Sequence, residues 1–152
     1  MSQDPQASGA DTPPLIINGQ YIKDLSFEVP NAPMIFTRLD KTPEVSINID
    51  VNATSVGEKA FEVVLHFQVE SRFPDLVAFV AELKYGAVVT LTLPEEHLRP
   101  MLLIEVPRLL FPFARGILSD ATRDGGFPPL MIQPLDFTAL YRQRYMAEAG
   151  NA

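Results

Sequence analysis

The side chains that do most protein chemistry are scarce in this chain. It has two histidines, His66 and His97, and no cysteine. Neither histidine belongs to an H-x-x-x-H or H-x-E arrangement, so no metal motif is present. Without cysteine there is no disulfide, thiol nucleophile or thiolate metal site. There is no G-x-S-x-G elbow and no P-loop. Gly125 and Gly126 follow a helical stretch instead of opening one, so they cannot place amides at a helix N-terminus for a phosphate. Glu95 and Glu96 stand where a helix starts, and carboxylates suit the positive end of its dipole. They read as capping charges, not as an acid–base pair. The sequence therefore predicts no enzyme, no cofactor and no metal. What it offers instead is surface chemistry, in carboxylates and apolar aromatic runs.

Strands must place the carboxylates. From residue 21, Tyr21, Leu25, Phe27 and Val29 point one way and Asp24, Ser26 and Glu28 the other, with Ile22 and Lys23 breaking the rule. Over 44–52, Val45, Ile47, Ile49 and Val51 alternate with Glu44, Ser46, Asn48, Asp50 and Asn52. A turn at Gly57 leads to Phe61, Val63, Leu65, Phe67 and Val69, alternating with Glu62, His66, Gln68 and Glu70. Past Pro74, Val77, Phe79, Ala81, Leu83 and Tyr85 face in, and Val80, Glu82 and Lys84 face out. The run 88–93 extends this strand beyond Gly86. Short connections predict antiparallel hairpins. The outward positions carry Asp24, Glu28, Glu44, Asp50, Glu62, Glu70 and Glu82 against Lys84 and His66. That sign imbalance favours a basic partner, through complementary potential and faster encounter.

Helices must place the apolar runs. Pro107 suits a first helical position, where its missing N–H is not needed. Leu109, Leu110, Phe113, Ala114, Ile117, Leu118 and Ala121 then spread over an arc of roughly 180–200°. One sheet needs an apolar stripe about half that wide. The excess predicts two burials, one on the chain's own sheet and one on another subunit. Pro112 predicts a kink or marks the helix entry, and Gly125 predicts a left-handed stop. Residues 127–134, FPPLMIQP, run extended because residues before proline avoid the helical region. A second helix starts at Asp136 as its cap, with Leu135 positioned to staple to Leu140. The apolar segment 34–36 and the aromatic stripe of the second helix predict a groove that this helix covers. Strands first and helices last make an α+β fold, with a four-stranded antiparallel sheet and two C-terminal helices packed on one face.

Composition bounds the rest. The chain has 152 residues, 47% of them hydrophobic, enough for one domain with a real core. A formal net charge of −7 disfavours nucleic acid and anionic membrane surfaces as partners. The first residues, MSQDPQASGADTPP, lack the basic and apolar regions of a signal peptide, and no run is long enough to span a bilayer. The expectation is a cytoplasmic protein with a disordered tail over 1–14, one domain over 15–146 and a short flexible tail over 147–152.

Two segments carry a family resemblance: YIKDLSFEVPNAP over 21–33, and PRLLFPFAR…GGFPPLMIQPLDFTALY over 107–141. They closely resemble the SecB family of export chaperones, and the likeness extends in order over 16–145. It implies a dimer of dimers, with helices sandwiched between two eight-stranded sheets. It implies that unfolded precursor proteins are held in apolar grooves and passed to the ATPase SecA, without nucleotide and without bond chemistry. Carried over to this chain, the SecA-docking surface falls on Asp24, Glu28, Val80 and Glu82. The client groove, between crossing segment, sheet edge and second helix, takes Met34, Ile35, Phe36, Val45, Ile47, Phe137, Leu140 and Tyr141. The short end, RYMAEAGNA, departs from relatives with a longer tail that also touches SecA. Two other readings remain open here: a SecB-like chaperone devoted to one partner such as an antitoxin, and a small-ligand-binding α+β domain.

Overall fold

Alternation becomes four antiparallel strands in a computed structural model that describes residues 13–150, with side chains described through residue 145. They are β1 (Leu15–Glu28), β2 (Glu44–Gly57), β3 (Ala60–Phe73) and β4 (Leu76–Leu91). Their order in the sheet is β1-β4-β3-β2. Tight turns join β2 to β3 and β3 to β4, and the first places Lys59 at φ 59°. β4 passes unbroken through Gly86, as the apolar run beyond it predicts. The β1–β2 connection crosses from one edge of the sheet to the other and carries a 3-10 turn, Met34–Thr37. Of the two expected tails, 1–12 and 151–152 lie outside the described residues. Pro14 already accepts a hydrogen bond from the Thr92 N–H, at 3.1 Å. At the other end the helical backbone continues to Gly150.

β1 departs from simple alternation for a local reason. The register slips between Ile22 and Asp24, so Lys23 is the extra residue of a bulge. A one-residue slip reverses which face the preceding residues use. Tyr21 therefore pairs with Gly86 on the outer face, opposite to Leu25, which corrects the expectation that the two share a side. A Cβ at Gly86 would lie 2.9 Å from the Tyr21 ring, so only glycine leaves room for it. The Tyr21 phenol donates to Glu62, and Lys23 Nζ lies 2.7 Å from the same carboxylate. Lys23 first, and then Tyr21, hold the Glu62 carboxyl below its usual 4.5. Burial, reinforced by Glu62, pushes the Tyr21 phenol from 10.0 up to about 12.

The helical layer starts earlier than Pro107. α1 (Glu95–Pro100), a π-turn (Met101–Glu105) and α2 (Val106–Asp124) form one continuous helical run. Pro107 offers no N–H to the carbonyl four residues back. The turn before it is widened, and Val106 N–H bonds the Met101 carbonyl five residues back. Along α2, Leu110, Ala114 and Leu118 are sealed against β3 and β4. Leu109 and Phe113 remain 48% and 55% exposed, so the chain's own sheet accounts for only one of the two expected burials. The stop falls one residue later than expected. Gly125 keeps a helical φ of −77°, and Gly126 takes the left-handed φ of 96°. Phe127 N–H bonds the Thr122 carbonyl at 3.0 Å and Gly126 N–H bonds that of Arg123 at 3.1 Å, a Schellman closure.

Thr122, a buried polar residue, pins the extended stretch beyond the stop. Its hydroxyl turns back to the carbonyls of Leu118 and Ser119, and its oxygen accepts the Leu130 N–H at 2.8 Å. α3 (Phe137–Gly150) then begins under the expected cap, with Ala139 N–H donating to Asp136 Oδ1 at 3.1 Å. α3 does not lie flat on the sheet beside α2. It packs on the π-turn, and Phe137 meets Phe111 edge-on with ring centroids 5.9 Å apart. Midway along α3, Arg144 reaches Asp50 Oδ1 at 2.6 Å and the Val51 carbonyl at 2.7 Å.

Two measurements test these supports. Thr122→Val leaves the Leu130 N–H without its partner and is expected to cost about 1–3 kcal/mol in urea denaturation. Glu62→Gln tests the outer-face strut. Because folding lowers the Glu62 pKa, its contribution is complete above 4.5 and is lost as the pH falls through the folded value. Glu62→Gln is therefore less stable than the native chain at neutral pH, and the gap closes as the pH drops below 4.5.

Candidate functional site

The two sides of the sheet carry different chemistry. Asp24, Ser26 and Glu28 on β1 lie opposite Lys84, Glu82 and Val80 on β4. β4 in turn sets these against His66, Gln68 and Glu70 on β3. Cross-strand partners share a face, so Asp24, Glu28, Val80 and Glu82 come together on the side away from α2. On this side lies a concavity of about 470 Å³, lined in part by Glu70, Val80 and Glu82.

Its carboxylates are not equivalent. Glu82 lies 2.9 Å from His66 Nε2, Glu70 3.2 Å from Arg72, and Asp50 2.6 Å from Arg144. Among the described residues, Asp24 and Glu28 have no ion-pair partner. Both stand on the exposed edge strand β1. Exposed ion pairs contribute little to folding, so even the paired carboxylates can turn to an incoming cation at small cost.

On the helix side, the crossing segment and the stretch after α2 leave an apolar cleft of about 330 Å³. Leu39 and Pro43 form one wall and Phe127, Leu130 and Met131 the other, with Val45 at the sheet edge. A row of packed phenylalanine rings runs beside it. Phe27 meets Phe79 at 5.1 Å, Phe79 meets Phe127 at 5.0 Å, and Phe127 meets Phe36 at 5.3 Å. Met131 is 77% exposed above the cleft. One polar side chain is sealed beneath it. Ser71 is fully buried, and its Oγ has no hydrogen-bond partner among the described residues. A buried hydroxyl left unpaired costs about 1–3 kcal/mol.

The residues expected in the client groove divide. Val45 lines this cleft; Met34 and Phe36 are exposed on the crossing segment, and Ile47, exposed on the edge strand, lines the concavity beside Glu70, Val80 and Glu82 instead. Ile35 and Phe137 are 0% and 1% exposed and belong to the core, which corrects their placement in the groove. Ile35 is the inward residue of the 3-10 turn, and Phe137 is closed off by Phe111. Leu140 packs half-buried on the core. Tyr141 lines a separate cleft of about 600 Å³ between α1, α3 and the far end of β2. There Arg99 covers the Tyr145 ring at 4.6 Å.

The structure also adds Leu39, Phe127, Leu130 and Met131, which residue patterns had not assigned to a site. The available signal was PPLM: an apolar run held extended by prolines has no regular element in which to bury. Among the described residues, no group of three or more His, Cys, Asp or Glu could hold a metal ion. No helix among them is long and apolar enough to cross a membrane.

Comparison with known proteins bears on both surfaces. The family model for preprotein translocase subunit SecB matches residues 8–148. The protein-export protein SecB of Rhodospirillum rubrum is 66% identical over 152 residues, covering 100% of this chain and 95% of its own length. That of Paramagnetospirillum magneticum is 56% identical over 142 residues, covering 93% and 92%. Among solved structures, the Mycobacterium tuberculosis Rv1957 SecB-like chaperone, in complex with a ChAD peptide from the Rv1956 HigA1 antitoxin, shares the fold. Its TM-score is 0.67 at 17% identity, covering 80% of this chain and 90% of that one. The family match spans the sheet, the long helix and the stretch beyond its two glycines, and the chain belongs to the SecB family of protein-export chaperones.

Proposed function

We propose that this chaperone holds unfolded precursor proteins along its apolar clefts and delivers them to SecA through its acidic face. The observation that carries the reading is the separation of the two surfaces. One sheet presents carboxylates on one side and an exposed apolar cleft, walled by prolines and phenylalanines, on the other. Holding by apolar area is non-directional and scales at about 25 cal/mol per Å², so it accepts many client sequences. Docking by charge is directional and rapid, and suits a single basic partner. Because the two lie on opposite faces, a client can remain bound while SecA docks. The process needs no bond chemistry, nucleotide or membrane insertion by this chain, and its place is the cytoplasm.

The working unit is a dimer of dimers. Leu109 and Phe113 on α2 support this, since they form an exposed apolar stripe on the side of the helix that the sheet does not cover. Several copies multiply weak cleft contacts, raising avidity by roughly 10²–10⁴. Within this reading Met34, Phe36, Val45 and Ile47 contact clients together with Met131 and Leu39. Tyr141 serves a second contact region beside α3. Asp24, Glu28, Val80 and Glu82 form the docking patch. A chaperone devoted to one antitoxin is the less favoured reading. The antitoxin-binding structure is 17% identical, whereas the Rhodospirillum rubrum export protein is 66% identical.

Two variants separate the surfaces. Asp24→Lys reverses a carboxylate that supports no ion pair among the described residues. It is expected to weaken SecA binding roughly three- to tenfold at about 0.1 M salt, and less at higher salt, with aggregation suppression intact. Calorimetric titration against SecA measures it, and unchanged affinity overturns the docking assignment. Met131→Asp places a charge on the rim of the cleft. It is expected to weaken retention of an unfolded precursor roughly tenfold, while urea stability stays within about 0.5 kcal/mol. Undiminished retention removes the cleft from the client-binding surface.

A further inference from the structure

We propose that His66 is a positioning residue of the acidic face: it holds Glu82 in place, and the proton it carries decides whether Glu82 offers its charge to a basic partner. The inference rests on the docking reading and adds a control to it. On the outer face Glu62, Glu70 and Asp50 are paired with Lys23, Arg72 and Arg144. Lysine and arginine are side chains that stay charged through neutral pH. Glu82 is the docking carboxylate with an ion-pair partner among the described residues, and that partner is His66, at 2.9 Å. Imidazole is the side chain that changes charge between about pH 5 and 8.

The contact is diagonal across two strands. His66 on β3 stands opposite Lys84 on β4, and Glu82 lies one position along β4, opposite Gln68. A carboxylate only accepts, so Nε2 donates to it both as a neutral imidazole and as an imidazolium. The geometry is therefore the same in both states, and only the charge of the pair differs. With 22% and 37% of the side chains exposed, the pair is partly shielded from solvent. The other charges around His66 have opposite charges beside them. Lys84 has Asp24 of β1 across from it, and Asp50, opposite His66 on β2, is engaged by Arg144 of α3. Along β3 itself, Glu62 and Glu70 are held by Lys23 and Arg72. Glu82 is left as the carboxylate that the imidazole neutralises when it gains a proton. A cation docking on Glu82 and a proton on His66 thus oppose each other, and by reciprocity docking drives the proton off.

The test is calorimetric titration of the full chain against SecA at about pH 8 and about pH 6, in buffers of different ionisation enthalpy and at one salt concentration. SecA has titrating groups of its own, so the readout is the difference between native and variant chains. The native chain is expected to lose roughly three- to fivefold more affinity on acidification than His66→Gln, which keeps a donor for Glu82 but cannot take up a proton. Near the middle of that range, native docking is expected to release protons that His66→Gln docking does not. His66→Arg, a fixed cation, is expected to bind roughly three- to fivefold more weakly than the native chain at about pH 8 and to show no extra loss at about pH 6. Equal pH dependence and equal proton release in the native and His66→Gln chains, or native affinity in His66→Arg at about pH 8, overturn the proposal while leaving docking in place. Failure of the native chain to bind SecA at either pH overturns both.

Discussion

A row of four phenylalanine rings ties the parts of this molecule together. Phe27 comes from β1, Phe79 from β4, Phe127 from the stretch after α2, and Phe36 from the crossing segment. No two belong to the same element, so their packing fixes where the connections lie on the sheet. The row requires glycine beside it. A Cβ at Gly125 would run into the Phe27 ring, and one at Gly126 would come within 2.8 Å of Phe36. The helix therefore ends there both because Gly126 can turn left-handed and because the aromatic row leaves no space for a side chain. Thr122 then sets the departing strand of chain by a single hydrogen bond to Leu130. Two of those rings, Phe79 and Phe127, line the cleft that the arrangement leaves between the two connecting segments.

The sheet adds a division of labour. A strand presents alternate residues to opposite sides, so one stretch of β4 supplies Phe79 and Ala81 to the interior and Val80 and Glu82 to the exterior. Two kinds of recognition can thus be built into the same few residues without mixing. Among the described residues, Asp24 and Glu28 form no ion pair at the β1 edge, while the neighbouring Glu62 is committed to Tyr21 and Lys23.

Much of this was legible in the residue order. The alternation in β2, β3 and β4 placed Val80 and Glu82 on the outer face. Asp136 was recognisable as a cap from its position ahead of an apolar stripe. The over-wide stripe of α2 anticipated that Leu109 and Phe113 would find no cover within one chain. The features that were not legible depended on contacts distant in sequence. The bulge at Lys23, which turns Tyr21 outward, is set by pairing with β4. The continuous helix through Pro100 and Pro107 requires a π-turn that local rules do not suggest. Ile35 and Phe137 look like groove residues by composition. Their burial depends on how the 3-10 turn and α3 dock, and periodicity carries no information about that.

The prolines around the cleft have a consequence beyond keeping chain extended. An exposed strand edge normally offers a row of amide hydrogens on which a foreign polypeptide can zip up, and then another on that. Pro43, Pro128 and Pro129 border the cleft and donate nothing. Under the proposed function, a guest resting there would meet oily walls and, at these prolines, no amide hydrogens on which to pair.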